Sequence, residues 1–116
     1  MLRIMCKSKI KNGFVTAKVM RYEGSIGIDK KIMYAADILP GEQVHVLNLN
    51  NGKRFTTYAI EEEDSGKIVL YGPATRKGEV GDELVILSYC MAETTESRSL
   101  KMSAIALGED NKYQGK

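Results

Sequence analysis

Apolar and polar positions alternate with a period of two along most of the chain, so short strands dominate the reading. Leu2 to Ile10 and Phe14 to Met20 alternate in this way, with Asn12-Gly13 as a turn between them. Ser25-Ile26-Gly27-Ile28 is a very short extended piece. The period lengthens over Lys30 to Leu39, where Ile32, Ala35, Ala36 and Leu39 recur at spacings of three and four and give a short helix one apolar face. Asp29 is placed to cap that helix and Pro40-Gly41 to end it. Val44 to Leu49 and Arg54 to Ile60 read as strands joined by the hairpin turn Asn50-Asn51-Gly52-Lys53. An acidic loop, Glu61 to Gly66, precedes strands at Lys67 to Leu70 and Glu83 to Tyr89, with Gly78 and Gly81 punctuating the gap. From Met91 onward the chain is polar and weakly patterned, with Ala104 to Leu107 as one more short element. Many short strands with turns at close spacing predict a mainly β fold, a small closed barrel with short helices.

Composition narrows the partners. At 116 residues the chain is one domain, 1–116, able to bury a modest core without staples. A net charge of +2 with a pI near 8.5 is too mild to imply nucleic acid. No apolar run approaches the roughly 20 residues of a membrane helix, and the basic start, Met1 to Lys11, lacks the apolar core and cleavage site of a signal peptide. Cys6 and Cys90 stand far apart with no metal spacing and read as small apolar fillers. A metal-free protein of a reducing cytoplasm is the expectation.

Two runs carry chemistry: Tyr22-Glu23-Gly24-Ser25, and Asn51 to Tyr58 about thirty residues on. A Gly-Ser bond held under strain can break itself. The serine oxygen attacks the preceding carbonyl, and the resulting ester eliminates to dehydroalanine, which hydrolyses to a pyruvoyl group. That ketone captures amines as Schiff bases and then serves as an electron sink. Gly24 lacks a Cβ and can enter conformations that other residues enter only at a cost. Taken alone, Gly-Ser is far more often an ordinary turn.

Arg54, Thr56, Tyr58 and Ile60 point to one side of their strand, and Phe55, Thr57 and Ala59 to the other. A guanidinium grips a carboxylate through two parallel hydrogen bonds. A phenol with an ordinary pKa of about 10 stays protonated at neutral pH, as a proton donor must. Thr57 falls on the face opposite Tyr58. Either the strand twists or ends there, or the two faces serve sites shared between subunits. Lys9 offers a second cation, His45 reads as a surface or interface residue, and Gly72-Pro73-Ala74-Thr75 is a small-residue loop that a ligand can approach closely. Pro73 removes one backbone donor from that loop.

With these motifs in this order the chain resembles the aspartate 1-decarboxylase family, pyruvoyl-dependent enzymes that make β-alanine for pantothenate biosynthesis. The resemblance runs from Met1 to about Tyr89. It is carried by Tyr22 to Ser25, Ile28-Asp29, Asn51 to Ile60 and Val80-Gly81-Asp82. It implies a double-psi β-barrel assembled as a homotetramer with active sites between subunits. It further implies autocatalytic cleavage of a zymogen between Gly24 and Ser25, giving a β chain of residues 1–24 and an α chain of 25–116. Ser25 becomes the covalent pyruvoyl group, and Thr57 assists by bonding the scissile carbonyl. Tyr58 matches the family's proton donor and Arg54 and Lys9 its carboxylate-binding cations, with Tyr22, Thr57, Gly72, Pro73 and Ala74 at substrate-binding positions. L-Aspartate is the implied substrate, and a maturation factor is a possible partner.

Departures from the pattern concentrate in one loop. The family's substrate loop usually begins Asn-Gly-Ala-Ala; here it reads Tyr71-Gly72-Pro73-Ala74. An asparagine restored at position 71 is therefore expected to raise turnover or speed processing. Lys11 stands where many relatives carry histidine, and Leu47 where some carry tryptophan. The altered loop keeps two further readings open: a processed relative acting on another small acidic amino acid, and an uncleaved, non-catalytic β-barrel assembly module.

Overall fold

In the computed structural model, which describes residues 1–113 and 115, the alternating segments form eight strands. They are β1 (Leu2–Phe14), β2 (Ala17–Val19), β3 (Ser25–Asp29), β4 (Gln43–Asn48), β5 (Arg54–Glu62), β6 (Ile68–Tyr71), β7 (Glu83–Glu93) and β8 (Ser103–Ala106). Helix α1 (Lys30–Ala35) follows β3, α2 (Thr94–Ser99) follows β7, and Gly72–Lys77 is a 3₁₀ turn. The strands join in the order β2-β6-β3-β5-β4-β7-β1-β8. Pairings β2–β6, β3–β5 and β1–β8 are parallel, the other four antiparallel. Curled around fully buried Ile10, Ile26, Ile28, Val46, Leu70 and Ile86, the sheet makes a small mainly β barrel with short helices. Each such side chain stabilises the fold by about 1.5–3 kcal/mol.

Four expectations change on inspection. Asn12-Gly13 does not turn the chain. β1 runs through it, with Asn12 at φ 64 and the pairing to β7 shifting between Ile10 and Gly13, so the pair makes a bulge. β2 then leaves to lie parallel to β6 instead of folding back on β1.

The helix ends at Ala35, short of Leu39. Asp37 takes φ 59, its amide donates to the Tyr34 carbonyl at 3.1 Å, and the Ile38 amide donates to the Met33 carbonyl at 2.9 Å. This is a Schellman cap with Asp in the usual glycine position. It buries Ile38 in place of Leu39, which stays two-thirds exposed. Asp29 caps the start as expected, accepting from the Lys31 amide at 2.8 Å.

The last long strand passes Tyr89 and ends at Glu93, and the region beyond Met91 is ordered into α2 and β8. The short element expected at Ala104 to Leu107 is there as β8, starting one residue earlier, and a polar, exposed face hid α2 from a periodicity reading. The Asn50–Lys53 hairpin stands: β4 and β5 pair antiparallel around it, with Asn48 Oδ1 accepting the Asn50 amide at 2.8 Å.

Candidate active site

β3 begins at the serine. Ser25 is fully buried and pairs across the antiparallel ladder with Tyr71. On the other side β3 runs parallel to β5 with Ile26 level with Ala59 and Gly27 with Ile60. One step back along that register, Ser25 comes level with Tyr58 and Gly24 with Thr57. The Thr57–Tyr58 step of β5 thus runs alongside the Gly24–Ser25 bond, with Gly24 a bend residue just ahead of β3. Thr57 Oγ1 donates to the Gly24 carbonyl at 3.3 Å. Ser25 Oγ donates to the Glu23 carbonyl at 3.4 Å.

The loop after β6 closes over this segment. Gly72 holds φ +60, and a Cβ there would overlap the Tyr22 carbonyl oxygen and lie 3.0 Å from the Gly24 nitrogen. Only glycine fits so close an approach in the left-handed region. Gly24, by contrast, has no left-handed φ, so the strain expected at the Gly-Ser bond is absent from that torsion. What the missing Cβ at Gly24 permits is contact with Pro73, whose Cδ would stand 3.3 Å from it. A cleft of about 240 Å³ opens beside Gly24, lined by Phe55, Thr57, Pro73, Ala74 and Lys77 among others.

The structure thus brings together Tyr22, Gly24, Ser25, Thr57, Gly72, Pro73 and Ala74, with Tyr58 level with the serine. It does not bring Lys9 or Arg54 to them. Arg54 lies four residues before Tyr58, about 13 Å along the strand, and leans toward β4 and β7. Its Nη2 lies 3.4 Å from His45 Nδ1 and donates to the Tyr89 hydroxyl at 3.3 Å. The His45 and Tyr89 rings meet edge to face at 4.9 Å, so His45 helps hold the arginine. Lys9 pairs with Leu87, which pairs with His45, so lysine and arginine share one sheet face. β1 is four strands from β3, about 19 Å along the sheet.

Two neighbours escaped the sequence reading. Glu62, counted into an acidic loop, is the last residue of β5, and its Oε2 accepts from the Tyr71 hydroxyl at 2.5 Å. Lys77 reaches the cleft from the 3₁₀ turn. Only the β5 alternation, carried two residues further, could have placed Glu62 on the face of Tyr58. Among the described residues no cluster of His, Cys, Asp or Glu could hold a metal, and no helix is long and apolar enough to cross a membrane.

A small β-barrel with a buried serine after a glycine, a threonine hydroxyl on the glycine's carbonyl and a glycine-dependent loop over both defines a class: chains built around one peptide bond. The chain belongs to the aspartate decarboxylase family, which it matches over residues 1–114. It is 50% identical over 113 residues to an aspartate 1-decarboxylase of Thermoanaerobacter pseudethanolicus, covering 97% of each chain. It is 50% identical over 103 residues to that of Kosmotoga olearia, covering 88% of this chain and 90% of the relative. With that of Syntrophus aciditrophicus it shares 43% over 115 residues, covering 98% and 99%.

Proposed function

We propose that the chain is a pyruvoyl-dependent aspartate 1-decarboxylase that makes its own cofactor by breaking the Gly24–Ser25 bond. The observation that carries this is the Thr57 hydroxyl donating to the Gly24 carbonyl at 3.3 Å, beside a fully buried Ser25. As Ser25 Oγ adds to the Gly24 carbonyl carbon, charge develops on the oxygen that Thr57 already bonds, where a placed donor is most effective. The C–N bond breaks to leave an ester. Loss of the Ser25 Cα proton expels the Gly24 carboxylate, and water then replaces the Ser25 nitrogen, released as ammonia. The products are residues 1–24 and a ketone-capped 25–116.

The residues fit such a group. Removing the Gly24 peptide leaves the Ser25 carbons between Tyr71 and Tyr58, under a loop whose Gly72 gives the backbone room. The bound group supplies an electron sink for loss of carbon dioxide. The chain's own part is to bind and orient L-aspartate, to exclude water, and to hold a proton on the hydroxyl of Tyr58, the residue beside Ser25 in the strand register. The charge-matching groups, Arg54 and Lys9, lie too far from the serine of their own chain. Their supply by a neighbouring subunit of a homotetramer brings two cations to the serine, and two cations discriminate for a dicarboxylate. β-Alanine, the product, is the pantothenate precursor.

The test is an intact-mass measurement under denaturing conditions after a long warm incubation, on wild type and Ser25→Ala. Two pieces parting between Gly24 and Ser25, the larger reacting with a hydrazine, and release of carbon dioxide from L-aspartate are expected only of wild type. A wild-type chain that stays at 12.9 kDa, alone and with a maturation protein added, overturns the reading. The altered loop, Tyr71-Gly72-Pro73-Ala74, keeps a second reading, in which another small acidic amino acid is the better substrate. Competing amino acids in the same assay decide between them.

A further inference from the structure

Beside the serine sits a pair of groups that the proposed reaction does not use. Tyr71 ends β6 directly across from Ser25, and its hydroxyl donates to Glu62 Oε2 at 2.5 Å. Burial first, and then the Glu62 carboxylate, push the Tyr71 phenol up to about 12. It is therefore a fixed donor, committed to Glu62, and no base at neutral pH. The pair occupies the space left by Gly27, where a Cβ would overlap the Glu62 carboxylate and come within 2.9 Å of the Tyr71 ring. Gly27 has no left-handed φ, so its bareness serves this contact and not the backbone.

The Tyr71 ring also leads to the cleavage segment. Its centroid lies 4.7 Å from that of Tyr22, the planes inclined at 47°. Tyr22 is otherwise more than half exposed, with its amide donating to the Met20 carbonyl at 2.9 Å. The next two residues supply the carbonyls that meet Ser25 Oγ and Thr57 Oγ1.

We infer that Glu62 and Tyr71, seated on Gly27, form a positioning pair that fixes Tyr22 and so sets the Glu23 and Gly24 carbonyls against Ser25 and Thr57. The inference rests on reading Gly24–Ser25 as the cleavage point. It also reverses the expectation drawn from the loop alone. Asparagine at position 71 leaves Glu62 without its donor and Tyr22 without its ring partner, and should slow processing.

Two measurements on the full chain test this and separate it from the reading beneath it. Freshly synthesised chain is followed by intact mass at fixed temperature for wild type, Tyr71→Phe, Glu62→Ala and Glu62→Gln. The same changes in a Ser25→Ala background, which cannot cleave, are followed by hydrogen exchange of the Tyr22 amide. Tyr71→Phe and Glu62→Ala should each slow cleavage and speed Tyr22 exchange by about tenfold, the scale of a hydrogen bond to a charged group. Glu62→Gln, whose amide oxygen still accepts from the phenol, should recover most of both effects, which a loss of general stability would not. Unchanged Tyr22 exchange in both disruptive variants overturns the pair's role. Faster exchange with unchanged cleavage overturns its link to processing. A wild type that never cleaves, with exchange responding as described, removes the cleavage reading and upholds the pair.

Discussion

Gly72→Ala is a sharp perturbation, because all three atoms that the new methyl meets most closely are backbone. The Cβ would overlap the Tyr22 carbonyl oxygen and press on the Gly24 nitrogen at 3.0 Å, and the position holds φ +60. The left-handed conformation costs a non-glycine residue about 1–2 kcal/mol, and forcing a packed contact about 1–3 kcal/mol. Together they destabilise by about 2–5 kcal/mol, a fall in melting temperature of about 8–20 °C for a domain of this size. Gly52→Ala is the control: φ is +76 with nothing within 4 Å of the added carbon, so only the conformational cost applies. Thermal unfolding of both variants measures the difference, and the same samples run by mass report cleavage. Gly72→Ala should melt well below Gly52→Ala and leave the Gly24–Ser25 bond intact for far longer. If the two melt together, the loop is not pressed against the Tyr22–Gly24 backbone, and the site as described is refuted.

Thr57→Val keeps shape and removes the donor to the Gly24 carbonyl; cleavage should slow about 100-fold by mass while the melting temperature holds within a few degrees. Asp29→Ala removes the α1 cap and the acceptor that the Gly66 amide uses at 2.9 Å, and should cost about 1–3 kcal/mol in urea unfolding. The Tyr71 phenol is raised from 10.0 to about 12 in the fold, chiefly by burial. Its contribution to stability is therefore complete below pH 10 and is lost as pH climbs through 12. The urea midpoint should fall more between pH 9 and pH 11 for wild type than for Tyr71→Phe, and equal falls would refute the raised phenol.

The parts of this molecule legible in its sequence were those where local pattern and tertiary demand agree. The Asn50–Lys53 hairpin and the Asp29 cap each follow from a few adjacent residues, whereas Thr57, 33 residues from Gly24, was tied to the Gly24-Ser25 pair only through the family resemblance. What escaped was decided by distant partners. Asn12-Gly13 has the chemistry of a hairpin turn, yet β7 continues past it and pulls β1 straight through. α2 has little apolar period because the one side chain it buries is a serine, Ser97. Glu62 lay in a run of three glutamates and could not be told from its neighbours until β3 and β6 were set beside β5. The separation of Lys9 from the serine followed from strand order, which no run of residues records.

The place of β1 has a consequence for a chain cut after Gly24. All of β1 and β2 belong to the piece before the cut, and β1 is an inner strand, paired with β7 along one edge and β8 along the other. A break at Gly24 therefore severs the covalent thread and leaves the hydrogen-bonded fabric whole. The short peptide stays as a woven-in part of the barrel, and separately made 1–24 and 25–116 peptides should complement each other into one body when mixed.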